Sequence, residues 1–187
     1  MGPDMKLTPT SLEGMYVAES TAISDHRGAF ARLYCERELA PALGSRRIVQ
    51  VNHSRTGAVG VVRGMHLQNS PHAEMKFVRC LRGRVWDVAV DLRAGSRTLL
   101  QWHAEELTGE NGRMMIIPEG CAHGFQVLAP ESEMLYLHTA FYEPGSQLGF
   151  SCLDEKLKLR WPLPITDLSK QDSAHPFIAH DFGGIST

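Results

Sequence analysis

Apolar positions along this chain recur in short alternating runs rather than in long helical stripes. The clearest run is Val85 to Leu92: Trp86, Val88, Val90 and Leu92 fall on one face, and Val85, Asp87, Ala89 and Asp91 on the other. A period of two marks a β-strand with one packed face and one of different character. The run follows a turn at Gly83, before which come Lys76 and the apolar strand Phe77–Leu81. Two carboxylates and a lysine on such strands point to half of an active site inside a small barrel. The same reading predicts strands over Met15–Ser20, Ala29–Tyr34, Arg47–Ser54, Leu99–Leu107, Met114–Ile117, Phe125–Leu128 and Met134–Tyr142. Turns through Ser24–Gly28, Thr108–Gly112 and Pro118–Gly120 separate them, and Glu36–Leu43, closed by Gly44, is the one short helix of the first half. Short strands with frequent turn signals and hardly any helix indicate a sandwich or barrel.

The chain has 187 residues, enough for one well-cored domain and short for two. No repeat or linker divides it, so residues 1–187 are read as a single domain. Its barrel core spans about 25–150, and the segment 151–187, proline-rich and irregular from Trp161 on, packs over it. A net charge of −2 provides no global basic field to draw in nucleic acid, so an anionic ligand needs a local cluster of basic side chains. Cys35, Cys80, Cys121 and Cys152 include no C-x-x-C pair and read as free buried thiols. The opening MGPDMKLTPTSLEG has no apolar core of a signal peptide, and no run reaches membrane-spanning length. A cytoplasmic protein that does not engage membranes is expected.

Chemistry enters with Gly112–His123, GRMMIIPEGCAH. The spacing G-x5-P-x-G-x2-H resembles the second signature of the cupin superfamily of jelly-roll barrels, in which a Pro-Gly turn swings a histidine into the barrel mouth. Metal-binding cupins add H-x-H and a glutamate from the first signature. The matching region here holds His66, His72 and Glu74, and neither histidine has a partner at the two-residue spacing that lets same-face strand residues chelate one ion. The expected site therefore contains no metal. A metal-dependent cupin isomerase or dioxygenase and a non-catalytic sugar-binding cupin remain as alternatives.

Further motifs occur in order: D-x-R-G-x-F (Asp25 to Phe30), Q-x-N-x-S (Gln50 to Ser54), R-G-x-H-x-Q (Arg63 to Gln68) and Lys76. GRVWDVAVDLR (Gly83 to Arg93), PEGCAHGFQVL (Pro118 to Leu128), MLYLHTAFYEP (Met134 to Pro144) and LSKQDSAHP (Leu168 to Pro176) follow. Together, over about residues 15 to 178, they resemble the dTDP-4-dehydrorhamnose 3,5-epimerase family. The resemblance implies an all-β, cupin-type double-stranded β-helix (a jelly-roll barrel) with a few short flanking helices. It also implies a cofactor-independent isomerase acting on a nucleotide-diphosphate 4-keto-6-deoxy sugar. The 4-keto group acidifies the C–H bonds at C3 and C5, so a base, an acid and a cation for the enolate oxygen suffice.

By this resemblance His66 is the base, Asp172 its partner, Tyr136 the acid and Lys76 the enolate stabiliser. Arg27 and Arg63 would clamp the diphosphate, Phe30 would offer a surface for the nucleotide's heterocyclic base, and Gln50 and Asn52 would make polar contacts to the nucleotide. His123 and Tyr142 would touch the sugar. Counting alternation along Met134–Tyr142 puts Tyr136, His138 and Tyr142 on one face, with both tyrosines pointing into the barrel if the leucine face packs against the second sheet. Arg32, Leu67 and His175 depart from the family pattern near the site. They leave open whether C3, C5 or both are inverted, and whether the nucleotide is dTDP or CDP. Homodimers are the family habit, formed when an N-terminal strand joins the neighbour's sheet, and Met15–Ser20 could serve.

Overall fold

Two facing sheets and a hairpin account for the strands. The computed structural model describes residues 4–187, so the first three residues of the polar N-terminal segment lie outside it. The strands are β1 (Met5–Pro9), β2 (Tyr16–Ser20), β3 (Ile23–Asp25), β4 (Gly28–Phe30), β5 (Gln50–Thr56), β6 (Val62–Gln68) and β7 (Lys76–Arg82). They continue with β8 (Arg84–Asp91), β9 (Trp102–Thr108), β10 (Arg113–Ile117), β11 (Cys121–Val127), β12 (Ser132–His138) and β13 (Gln147–Gly149). Helices α1 (Glu36–Leu43) and α2 (Lys170–Ser173) and a 3-10 turn over Pro144–Ser146 complete the set. One sheet runs β1-β2-β10-β7-β12-β5 and the other β13-β6-β11-β8-β9, while β3 and β4 pair only with each other. This is the expected jelly-roll barrel.

The alternation of β8 is reproduced, and both of its faces are covered. Val85 and Ala89 point inward and join Val78 and Cys80 of β7, Met115 and Ile117 of β10, and Phe125 and Val127 of β11 in the core between the sheets. Val88, Val90 and Leu92 point outward and pack beneath the segment after β13, against Cys152, Leu157 and Ile178. Trp86 lies edge-to-face on Trp102 and on Trp161, with ring centroids 5.8 and 5.1 Å apart. The outer face of the six-stranded sheet is closed by α1, whose Leu39, Ala42 and Leu43 meet Phe77, Ile116 and Leu137. Each such large apolar side chain contributes about 1.5–3 kcal/mol through removal from water. Glu36 and Glu38 favour the positive end of the α1 dipole, and Gly44 ends the helix at φ +59°.

Several predicted boundaries move. β11 begins at Cys121 rather than Phe125, so His123 lies within a strand and not in the turn before it. All seven residues of β11 are buried, which removes the alternation that would have shown the strand. β12 stops at His138, because the Thr139 backbone N–H turns to the Met75 carbonyl. The leucine face of β12 packs on the α1 side, not on the second sheet. β4 ends at Phe30 and β9 begins at Trp102. The strands β1 and β13 and the four-residue α2 have no counterpart in the sequence reading. β2, expected as the strand offered to a neighbour, is paired on both edges within its own chain, with β1 and β10. Cys35 is half-buried, the other three cysteines are buried, and all four are free. Among the described residues no helix is long and apolar enough to cross a membrane.

Candidate active site

The barrel opens at one end into a cavity of about 480 Å³ whose lining includes Asn52, Ser54, Arg63, His66, Lys76, His123, Tyr136, His138 and Asp172. The ladders explain the grouping. On the six-stranded sheet Tyr136 lies opposite Asn52 and Val78, and His138 opposite Lys76 and Gln50. Period two then aims Tyr136, His138, Lys76, Asn52 and Ser54 at the same space. On the other sheet His123 pairs directly with His66 and with Ala89.

Strand β6 reaches that space through an irregularity. Its pairing with β11 shifts register between His123 and Phe125, so that His66 and Arg63, three residues apart, oppose residues only two apart. The extra residue lets Arg63 and His66 both line the cavity while Met65 turns into the outer core. Gly64, at φ +129°, permits the close approach: a Cβ there would lie 2.6 Å from the Gly124 Cα.

His66 donates from Nε2 to Asp172 Oδ1 at 2.6 Å, and the Gly64 N–H approaches Oδ2 at 3.4 Å. Burial pushes the Asp172 carboxyl up, but the His66 bond and ring together with the Gly64 N–H outweigh it and hold the group below the usual carboxylate range. An ionised Asp172 keeps the ring proton of neutral His66 on Nε2, leaving Nδ1 as the nitrogen able to accept a proton. The Tyr136 hydroxyl sits 3.0 Å from Ser54 Oγ. Burial pushes it well above the ordinary tyrosine value, and Ser54 only partly counters this, so the phenol keeps its proton at neutral pH.

Lys76 Nζ lies 3.2 Å from Glu74 Oε1 and donates to the His66 carbonyl at 3.2 Å. Glu74 also holds His138 Nδ1 at 2.8 Å. Burial raises the Glu74 carboxyl, and the bonds and charges of His138 and Lys76 reverse that shift, leaving it lowered. Deeper in, His123 Nε2 lies 2.8 Å from Asp87 Oδ2, and the fully buried Asp87 is pushed up by desolvation against the pull of His123 and Lys76.

Of the residues singled out from sequence, His66, Lys76, Asn52, Arg63, His123, Tyr136 and Asp172 surround this cavity. Arg27, Phe30, Gln50 and Tyr142 do not line it. Arg27 pairs with Asp25 on the β3–β4 hairpin, and Phe30 on the same hairpin is 68% exposed. Tyr142 is 54% exposed beyond the end of β12, where its N–H donates to Gln50 Oε1 and its hydroxyl to Gln147 Oε1. Asp91, expected in the site half, instead ties down the 93–98 turn through Arg93, Ser96 and Thr98. Asp87, expected with Asp91 in the site half, sits behind His123 instead of lining the cavity, and Ser54, Glu74 and His138 were not singled out for the site. Ser54 and His138 share strand parity with Asn52 and Tyr136, a signal available in the sequence, whereas the pairing of Glu74 with His138 is purely tertiary.

The arrangement holds an oriented imidazole on one sheet, a protonated phenol on the facing sheet and a buried ammonium between strand ends. That set can remove a proton on one side of a bound molecule, steady the resulting anion and return a proton on the other side.

Comparison with known proteins agrees with this chemistry. The sequence profile of the dTDP-4-dehydrorhamnose 3,5-epimerase family matches residues 9–180. The dTDP-4-dehydrorhamnose 3,5-epimerase of Pseudomonas aeruginosa is 44% identical over 160 residues, covering 85% of this chain and 87% of its own. A dTDP-4-dehydrorhamnose 3-epimerase of Streptomyces niveus is 36% identical over 169 residues, covering 90% and 81%. Among solved structures, the dTDP-6-deoxy-D-glucose-3,5-epimerase of Legionella pneumophila in complex with dTDP-4-keto-L-rhamnose superposes with a TM-score of 0.89. It is 36% identical and covers 98% of this chain and 99% of its own.

Proposed function

The chain belongs to the dTDP-4-dehydrorhamnose 3,5-epimerase family, and from that premise we propose that it inverts C3 and C5 of dTDP-4-dehydro-6-deoxyglucose in deoxysugar biosynthesis. His66 Nδ1 takes the proton from the carbon next to the 4-keto group. The C–H electron pair becomes the enolate double bond, and its oxyanion accepts a hydrogen bond from Lys76 Nζ. Tyr136 then gives its hydroxyl proton to the opposite face of that carbon, and both groups re-equilibrate with solvent. The electrons stay on the sugar throughout, so the chemistry asks for no redox cofactor and no metal. Repetition at the second carbon gives the double inversion.

One observation carries the reading: the oriented imidazole and the buried phenol stand on opposite sheets of one cavity, as a proton that leaves one face and arrives at the other requires. The test is to incubate the protein with dTDP-4-keto-6-deoxyglucose in D2O and follow C3 and C5 by NMR. Deuterium entering both carbons with inversion is expected. Exchange at neither would overturn the assignment. The likeness to a 3-epimerase favours a second reading, inversion at a single carbon, which deuterium confined to that carbon would establish. Turnover of the CDP-linked sugar alone would reassign the nucleotide.

The whole chain acts as one catalytic domain in this reading, its barrel closed by the segment 151–187. The enzyme works as a cytoplasmic homodimer. In support of the dimer, the β3–β4 hairpin pairs with neither sheet and exposes Phe30 and Arg27 away from the chain's own cavity. A second copy's hairpin would bring a flat ring and a guanidinium to the nucleotide, beside Arg63, Asn52 and Gln50, while His123 and Tyr142 meet the sugar. Mixing two inactive variants, His66→Ala and Arg27→Ala, tests this: recovered activity requires sites shared between copies. Four free thiols agree with a reducing compartment.

A further inference from the structure

His66 and Asp172 have a third neighbour that the reaction above does not use. His175 follows the single turn of α2, and its spacing from Asp172 places both side chains on one side of that turn. The His175 N–H bonds back to the Asp172 carbonyl at 3.3 Å. Its Nε2 is 3.5 Å from Asp172 Oδ1, and its ring meets His66 edge-on with centroids 5.3 Å apart. That Nε2 is buried and has no hydrogen-bond partner. The seat is specific: a Cβ at Gly149 would fall 2.1 Å from the His175 ring, so only glycine at that position admits it. One donor atom from each of His66, Asp172 and His175 lies within 4.8 Å of the others.

We propose that His66, Asp172 and His175 form an inhibitory binding site for a divalent d-block cation of the zinc type. Two imidazoles and one carboxylate suit zinc, cobalt or nickel rather than magnesium or calcium, which prefer all-oxygen sets. Ligand atoms about 2.0–2.1 Å from a tetrahedral zinc are about 3.3 Å from one another. The present separations of 2.6 and 3.5 Å to Asp172 Oδ1 straddle that value, and all three donor atoms lie within 4.8 Å of one another. Three protein ligands leave the fourth position for water or another oxygen donor.

The inhibition follows from the imidazole tautomers. Without metal, Asp172 keeps the His66 proton on Nε2 and the lone pair on Nδ1. A neutral imidazole that ligates through Nε2 must carry its proton on Nδ1. Binding therefore fills the lone pair that would take the sugar proton and removes the carboxylate that orients the ring. The inhibition rests on His66 being the base; the binding does not.

The experiment is a Co2+ titration of the untagged full-length protein, read by visible absorption and calorimetry, beside turnover with and without Zn2+. One ion per chain with ligand-field bands of low-symmetry Co2+ is expected. Zn2+ should suppress turnover and a chelator restore it. His175→Ala and His175→Gln should both bind Co2+ about tenfold or more weakly and keep metal-free turnover that Zn2+ no longer suppresses. Failure of the wild type to bind, or equal binding by both variants, overturns the site. Binding lost in the variants while wild-type turnover ignores Zn2+ overturns the inhibition and places the fault in the assignment of His66.

Discussion

His66 Nε2 and Asp172 Oδ1 stand 2.6 Å apart although they are 106 positions apart in the chain. The contact makes the imidazole directional, and two substitutions should separate its parts. His66→Asn is expected to lower kcat by about 10²–10⁴ while leaving nucleotide affinity nearly unchanged. Asp172→Asn keeps the ring's neighbour but removes the charge, so kcat should fall less and KM little. If His66→Asn keeps more than about a tenth of turnover, a loss under about 1.4 kcal/mol, the imidazole is not the base.

Tyr136→Phe should separate deprotonation from inversion. Without the hydroxyl, His66 can still remove a proton and return a deuteron to the face it came from. Deuterium should therefore wash in from D2O with configuration retained, as NMR of the recovered sugar would show. Normal inversion by this variant would assign the tyrosine to packing alone.

Glu74 links acid stability to the site. Its folded-state carboxyl lies below the ordinary value of 4.5 because His138 and Lys76 outweigh the effect of burial. Its contribution is thus fully present above about 4.5 and is lost as pH falls through the lower folded value. Glu74→Gln should flatten the acid limb of the stability–pH curve, measured by denaturant midpoints. An unchanged acid limb would deny the linkage.

The buried pair His123–Asp87 is expected to be asymmetric in its response to mutation. Removing the imidazole with His123→Ala leaves a fully buried carboxyl without its hydrogen-bond partner, a loss of about 1–3 kcal/mol for an unsatisfied buried polar group. Asp87→Asn keeps the shape and a hydrogen-bond acceptor, and desolvation already disfavours the charge. Thermal unfolding should therefore drop much further for His123→Ala. Equal midpoints would show that the His123 hydrogen bond does not stabilise the buried carboxyl.

What the sequence revealed and what it hid divide along physical lines. The alternation of β8 was legible because Asp87 and Asp91 punctuate it, and α1 because acidic residues and a glycine bracket it. β11 was half hidden because both its faces are buried. Tyr142 was placed by continuing the period of β12 past the point where the chain turns to Met75, and nothing in the alternation marks that turn. The register shift in β6, which turns Arg63 and His66 toward one space, arises from pairing with β11 and leaves no local trace beyond Gly64. Asp172 would pass for an ordinary loop carboxylate; only the ordered motifs singled it out, and only the fold brings it to His66.

The segment laid over the outer face of the five-stranded sheet is also the segment that carries Asp172. A ribosome delivers it after the barrel strands. A chain interrupted after β12 has most of its barrel strands, yet it leaves Trp86, Val88 and Val90 bare and His66 without its carboxylate. Uncovered apolar surface of this kind is what chaperones and proteases recognise. An unfinished polypeptide is therefore adhesive while its cavity still lacks a wall, so the surveillance that clears it discards molecules whose site is not yet assembled.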